Sequence, residues 1–160
     1  MNHLDSTQER MLRFLLVEDD DDHAQIMFRS LSQERIGNRI DRVKDGVEAL
    51  AYLRHEGEYA TKPKPDIVQL DLKLPKLSGH EVLAAIKGDP KLRNVPVVVL
   101  TTSDAESDIV KAYQHHANSY LVKPLDAKCF LKMVEDLSLY WGVWNRSPER
   151  PDGEPQGQPK

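Results

Sequence analysis

Three carboxylates, a hydroxyl and an ammonium stand at matching points of this chain, each just past a short apolar run. Glu18 and Asp19 follow Phe14-Leu15-Leu16-Val17, and Asp71 closes Ile67-Val68-Gln69-Leu70. Thr101 closes Val97-Val98-Val99-Leu100, and Lys123-Pro124 follow Tyr120-Leu121-Val122. If each run is a strand of one open α/β sheet, all five groups arrive at its carboxyl edge, where such folds build ligand chemistry. The chemistry on offer is a divalent-metal site that accepts a phosphoryl group on Asp71. Like charges at Glu18 and Asp19 raise each other's pKa unless a cation joins them. Mg2+ suits the set, since it takes oxygen ligands octahedrally and keeps several waters. A carboxylate is a competent phosphoryl acceptor, while Lys123 supplies a point charge and Thr101 a hydrogen bond to phosphoryl oxygens. Asp20, Asp21 and Asp22 prolong the acid run. They read equally well as the solvated opening of a helix, with Asp20 as its cap.

The elements that must hold these groups alternate between two periodicities. Strands are expected at Arg13–Glu18, 40–43, 66–71, 95–100 and 119–123. Between them lie helical repeats: Ala24, Met27, Phe28 and Leu31; then Val47, Leu50 and Leu53; then Val82, Leu83 and Ile86 in a helix from His80 to about Gly88. A fourth helix covers Glu106 to His115. A fifth starts near Asp126 and presents Phe130, Met133, Val134, Leu137 and Trp141 on one stripe. Gly37-Asn38 breaks the chain before the second strand, and 56–65 reads as a loop. Five βα units with right-handed crossovers predict a flavodoxin-like doubly wound parallel sheet, strand order 2-1-3-4-5.

Composition narrows the setting. The chain has 160 residues, 39% apolar and 30% charged, with a net charge of −4 that gives no general pull toward nucleic acid or anionic membrane. No apolar stretch reaches the roughly 20 residues needed to span a bilayer. Met1 to Arg10 lack a hydrophobic signal core, and the single cysteine, Cys129, excludes an internal disulfide framework. The expectation is a cytoplasmic protein organised as a flexible segment 1–11, one domain over 12–145 and a tail over 146–160. That last stretch holds four prolines and two glycines in fifteen residues, which suits a disordered or docking segment.

Read in order, several blocks make the chain resemble the receiver domain of two-component response regulators from about Arg13 to Trp141. They are Leu16-Val17-Glu18-Asp19, Asp45-Gly46-Val47-Glu48-Ala49-Leu50, Leu70-Asp71-Leu72-Lys73-Leu74-Pro75, Gly79, Pro96 to Thr102, and Tyr120-Leu121-Val122-Lys123-Pro124. The resemblance implies that Asp71 takes a phosphoryl group from a histidine kinase. Asp19, Asp71 and the backbone carbonyl of Lys73 would ligate Mg2+, with Glu18 acting through water. Phosphate on Asp71 would draw Thr101 inward and Tyr120 from a solvent-facing to a buried rotamer. Lys73, Thr102 and Ser103 would tune phosphate lifetime. Within the family, Leu74-Pro75-Lys76, Glu81 to Ala84, Val97 to Ser103, and Ala112-Tyr113 with His116 to Leu121 are similar to stand-alone receivers paired with bacterial phytochromes. Members of that group dimerise through the fourth helix, fifth strand and fifth helix, and the late aromatics Tyr140, Trp141 and Trp144 suit such a contact.

Departures from the pattern carry their own expectations. His116 stands where glycine is usual, so positive φ there strains a side chain that tolerates it better than most. Gln69 shares a strand face with Asp71 and needs partners if buried. Thr102 is bulky beside the switch threonine and could narrow access to Asp71. The histidines are expected at the surface or at helix ends, and Cys129 as a small hydrophobe in the last helix. Three competing readings stay open: a receiver-shaped interaction module that signals without phosphate, a Mg2+-dependent aspartyl phosphatase, and a flavodoxin-like cofactor binder. Against the phosphatase, the residue two past Asp71 is Lys73, which leaves no second aspartate to protonate a leaving group. Against the cofactor binder, the acid run at Glu18 to Asp22 repels the phosphate that such a loop must cradle.

Overall fold

The computed structural model describes residues 12–32 and 38–148. The expected segment 1–11, Gly37 and the tail from 149 onward lie outside the described residues. Five strands, β1 (Arg13–Val17), β2 (Arg39–Val43), β3 (Ile67–Leu70), β4 (Val97–Thr101) and β5 (Ser119–Val122), alternate with five helices. The helices are α1 (Asp21–Ser32), α2 (Gly46–Leu53), α3 (Gly79–Gly88), α4 (Glu106–Gln114) and α5 (Ala127–Leu139), and a 3-10 turn at Gly57–Tyr59 interrupts the loop before β3. All strand pairs are parallel and ordered β2-β1-β3-β4-β5, the flavodoxin-like order expected from the sequence. Register brings the strand ends level. Val17 lies beside both Val43 and Leu70, Leu70 beside Val99, and Thr101 beside Val122.

Alternate strand residues point to opposite faces, and helices cover both. Leu15, Val17, Val68, Leu70, Val97 and Val99 meet α2, α3 and α4, while Phe14, Leu16, Ile67, Val98 and Leu100 meet α1 and α5. Removing one fully buried side chain, as in Leu83→Ala, costs about 2–5 kcal/mol in such a core. Local chemistry fixes the helix starts. Asp45 accepts from the Glu48 amide at 2.8 Å, and Ser78 and Glu81 cap α3 reciprocally. Pro90 follows the end of α3, and α5 runs on into a π-helical turn, Tyr140–Trp144.

Three expectations need correction. Val47 faces solvent, 49% exposed. The stripe of α2 that meets the core starts at Gly46, where an added Cβ would lie 2.6 Å from Leu77 Cβ, and continues through Ala49, Leu50 and Leu53. Val47 is about 100° further round. Cys129 is exposed, one position before the buried Phe130, so it fills no core space. The fourth strand begins at Val97 rather than Val95, because Pro96 has no amide to give a ladder and instead offers its carbonyl to Val68. The strained histidine is as expected, with φ of 65° at His116.

Candidate functional site

Backbone bonds stitch the strand ends together. The Glu18 amide donates to the Val43 carbonyl at 3.1 Å, Asp71 to Val17 at 3.1 Å and Lys123 to Thr101 at 2.7 Å. The side chains of Glu18, Asp71 and Lys123 follow Leu16, Gln69 and Leu121 by strand alternation and so converge on the α1/α5 side. They are 1%, 8% and 4% exposed. Lys123 Nζ donates to Asp71 Oδ2 at 2.9 Å, to Glu18 Oε1 through a short bond, and lies 3.0 Å from His23 Nδ1. An ammonium has three N–H donors and no acceptor, so these contacts use all of them and His23 accepts.

Two buried carboxylates share one cation, and they divide it unequally. Burial pushes the Glu18 carboxyl up to about 7, although the Lys123 bond and charge pull it down; the charge of Asp71 adds to the rise. Burial also works to raise Asp71. There the Lys123 bond and charge, the Lys73 amide at 3.2 Å and the Thr101 hydroxyl outweigh it, holding Asp71 below the usual carboxylate range. Asp71 is thus the carboxylate held in its ionised form, and the carboxyl groups outnumber the one ammonium between them. Glu18, Asp19 and Asp71 each offer an oxygen within 4.8 Å of the others, with Asp19 exposed at the mouth. This all-oxygen set, short of cations and open to water on one side, fits a hard divalent ion that retains part of its hydration shell. Under it, Gln69 is buried and neither amide atom has a partner among the described residues, against the expectation that a buried amide here finds partners, near the site or locally.

The other expected residues lie around this centre. Thr101 is fully buried, and its Oγ1 accepts from the Ser103 amide at 3.4 Å. Thr102 and Lys73 are exposed, and Ser103 is half-buried. Tyr120 packs against the α2–α4 core with its hydroxyl turned inward, donating to the Ser103 carbonyl at 2.9 Å. Two histidines stand in the first turn of a helix, as the expectation of a surface or helix-end place allows, and make contacts it did not include. His23 reaches Lys123, and His80 is buried against Asp108. The signal for His23 was available: it stands in the first turn of α1, directly after the acid run that follows β1. A cavity of about 460 Å³ lined by Leu53, Arg54, Lys64, Asp89 and Leu92, among others, lies at the opposite, amino edge of the sheet and holds none of the expected site residues.

Comparison with known proteins matches residues 14–135 to the response regulator receiver domain. The chain belongs to that family. Among receiver relatives it is 48% identical over 135 residues to the probable methanogenesis regulatory protein FilR2 of Methanothrix harundinacea, covering 84% of this chain and 86% of FilR2. It is 42% identical over 127 residues to response regulator Rcp1 of Synechocystis sp., covering 79% of this chain and 86% of Rcp1. The Mn2+-bound structure of Rcp1 superposes with a TM-score of 0.83, covering 86% of this chain and 99% of that one. The phosphorylated cyanobacterial phytochrome response regulator RcpA superposes with a TM-score of 0.85 at 40% identity, covering 87% of this chain and 99% of that one. The receiver is therefore related to phytochrome response regulators. Among the described residues no helix is long and apolar enough to cross a membrane.

Proposed function

We propose that this receiver takes a phosphoryl group on Asp71 from the phosphohistidine of a phytochrome-type histidine kinase, in the cytoplasm. The observation that carries the reading is Lys123, buried between Glu18 and an ionised Asp71 in a site short of positive charge. In the transfer the phosphorus–nitrogen bond breaks as a phosphorus–oxygen bond forms to Asp71, and the imidazole nitrogen keeps the electron pair. Lys123 then turns its ammonium from Asp71 Oδ2 to a phosphoryl oxygen, and the Thr101 hydroxyl donates to another. Mg2+ would be held by Asp19, Asp71 and the Lys73 carbonyl, with Glu18 acting through water. When bound, it supplies charge neutralisation to the transferred group. The relatedness to RcpA and Rcp1 supports the kinase class, and the manganese in one Rcp1 structure supports a divalent ion.

The output we propose is a change at the α4-β5-α5 face, read by a second copy of the chain. Val110, Tyr113, Val122, Leu139 and Tyr140 leave large apolar surface exposed along those elements, and such patches commonly mark association sites. Lys73, Thr102 and Ser103 flank the acceptor and would set how long the phosphate lasts. Label transfer from a purified phytochrome-type kinase tests the reading. Transfer to the wild type and none to Asp71→Asn is expected, and equal labelling of both would overturn it.

A further inference from the structure

Past Asp71 the chain enters α3 under tight constraint. The Gly79 amide donates to the Leu72 carbonyl at 2.8 Å, and a Cβ added at Gly79 would lie 2.3 Å from the Asp71 carbonyl oxygen. The first turn of α3 is thereby seated on the acceptor's own backbone. The next residue, His80, is buried, and its Nε2 lies 3.0 Å from Asp108 Oδ1 on α4. An ionised carboxylate only accepts, so this nitrogen donates. His80 Nδ1 is buried with no partner among the described residues, which leaves Asp108 as the ring's one polar anchor.

Asp108 passes the connection on. Its second oxygen accepts from Ser103 Oγ at 2.5 Å, and that hydroxyl accepts from the Ala105 amide at 3.3 Å. These bonds fix both the side chain and the local backbone of Ser103. The same residue gives its carbonyl to the Tyr120 hydroxyl and its amide to Thr101 Oγ1. A continuous run of contacts therefore leads from the Asp71 backbone through α3 and α4 to the two residues expected to switch.

We propose that His80 and Asp108 are positioning residues for the switch, fixing Ser103 so that its carbonyl favours the inward Tyr120 before any phosphoryl group arrives. The geometry stands alone, and its consequence for signalling rests on the receiver reading above. Whatever loosens Ser103 lowers the fraction of molecules ready for the phosphoryl group. By linkage, it weakens a phosphoryl mimic by the same factor.

The test uses the full chain labelled with 3-fluorotyrosine, the Tyr120 resonance being assigned by Tyr120→Phe, without and with beryllofluoride plus Mg2+. In unliganded His80→Leu the Tyr120 resonance should move toward the position of solvent-exposed fluorotyrosine, and beryllofluoride affinity should fall about fivefold. His80→Gln, whose amide nitrogen can stand where Nε2 stood, should restore both readouts, which a role in packing alone would not predict. Ser103→Ala should reproduce the shift, and the double variant should add little to either single one. A folded His80→Leu with an unmoved Tyr120 resonance overturns the inference. If that variant does not fold, Ser103→Ala decides on the same resonance. A wild type that binds no beryllofluoride would overturn the receiver reading, and the unliganded resonance would still decide this one.

Discussion

The two faces of one sheet do different work. On the α1/α5 side the alternation that turns Leu16 and Leu121 toward the helices carries on into Glu18 and Lys123, and Gln69 leads likewise to Asp71, so that face ends in charge. On the α2–α4 side Val97 and Val99 lead to Thr101, and Tyr120 packs on the same core, so that face ends in hydroxyls that reach the loop after β4. The faces meet where the Thr101 hydroxyl bonds Asp71. Under the proposed function, this difference would let one sheet hold the acceptor and still report on it, with the charge change on one side and the movement on the other.

The strongest way to break the division is Lys123→Met. It strips the ammonium from two buried carboxylates and should cost about 3–5 kcal/mol in urea unfolding, the usual penalty for orphaning a buried charge. An unchanged midpoint would show that the pair is solvated rather than buried. The charged face should also respond to pH. Glu18 is raised to about 7 from 4.5, so between those values the folded state binds the extra proton and metal-free stability falls as pH rises. Glu18→Gln should flatten that slope in unfolding curves recorded from pH 5 to 8. Asp71, lowered instead, contributes in the opposite sense, and its stabilisation is lost only in acid, as pH falls below 3.8.

Gln69→Leu sharpens the comparison, because it removes two unpartnered amide atoms from the charged face and should stabilise the protein by about 1–3 kcal/mol. A loss of stability would mean that the amide has a partner. The smallest effect belongs to the other face. Tyr120→Phe removes the hydroxyl bond to the Ser103 carbonyl, should cost about 0.5–1.5 kcal/mol in urea unfolding, and should slow adduct formation on Asp71 only slightly, as the linkage between the two faces requires. An unchanged unfolding midpoint would show that the bond to Ser103 contributes nothing to the fold.

Much of this was legible in the sequence, for identifiable reasons. Strand runs such as Val97 to Leu100 and the i, i+3, i+4 repeats of Ala24, Met27 and Leu31 are set by local burial, so fold and strand order followed from them. Glu18, Asp71, Thr101 and Lys123 were visible as polar residues at the ends of apolar runs, and the structure brings them together. What stayed hidden depends on contacts between distant residues. Lys123 lies 100 positions from His23, and Asp108 lies 28 from His80; neither spacing leaves a periodic trace. Val47 was misplaced because its apolar character fitted a stripe that the close approach of Gly46 to Leu77 rotates away.

The central claim is that Asp71 is the acceptor, and intact mass after incubation with Mg2+ and a small-molecule phosphodonor tests it most directly. The account predicts one phosphoryl adduct in the wild type, lost on chelation of Mg2+ and absent from Asp71→Asn. An adduct that persists in Asp71→Asn, or a wild type that stays unmodified while a phytochrome-type kinase also fails to label it, would contradict the account.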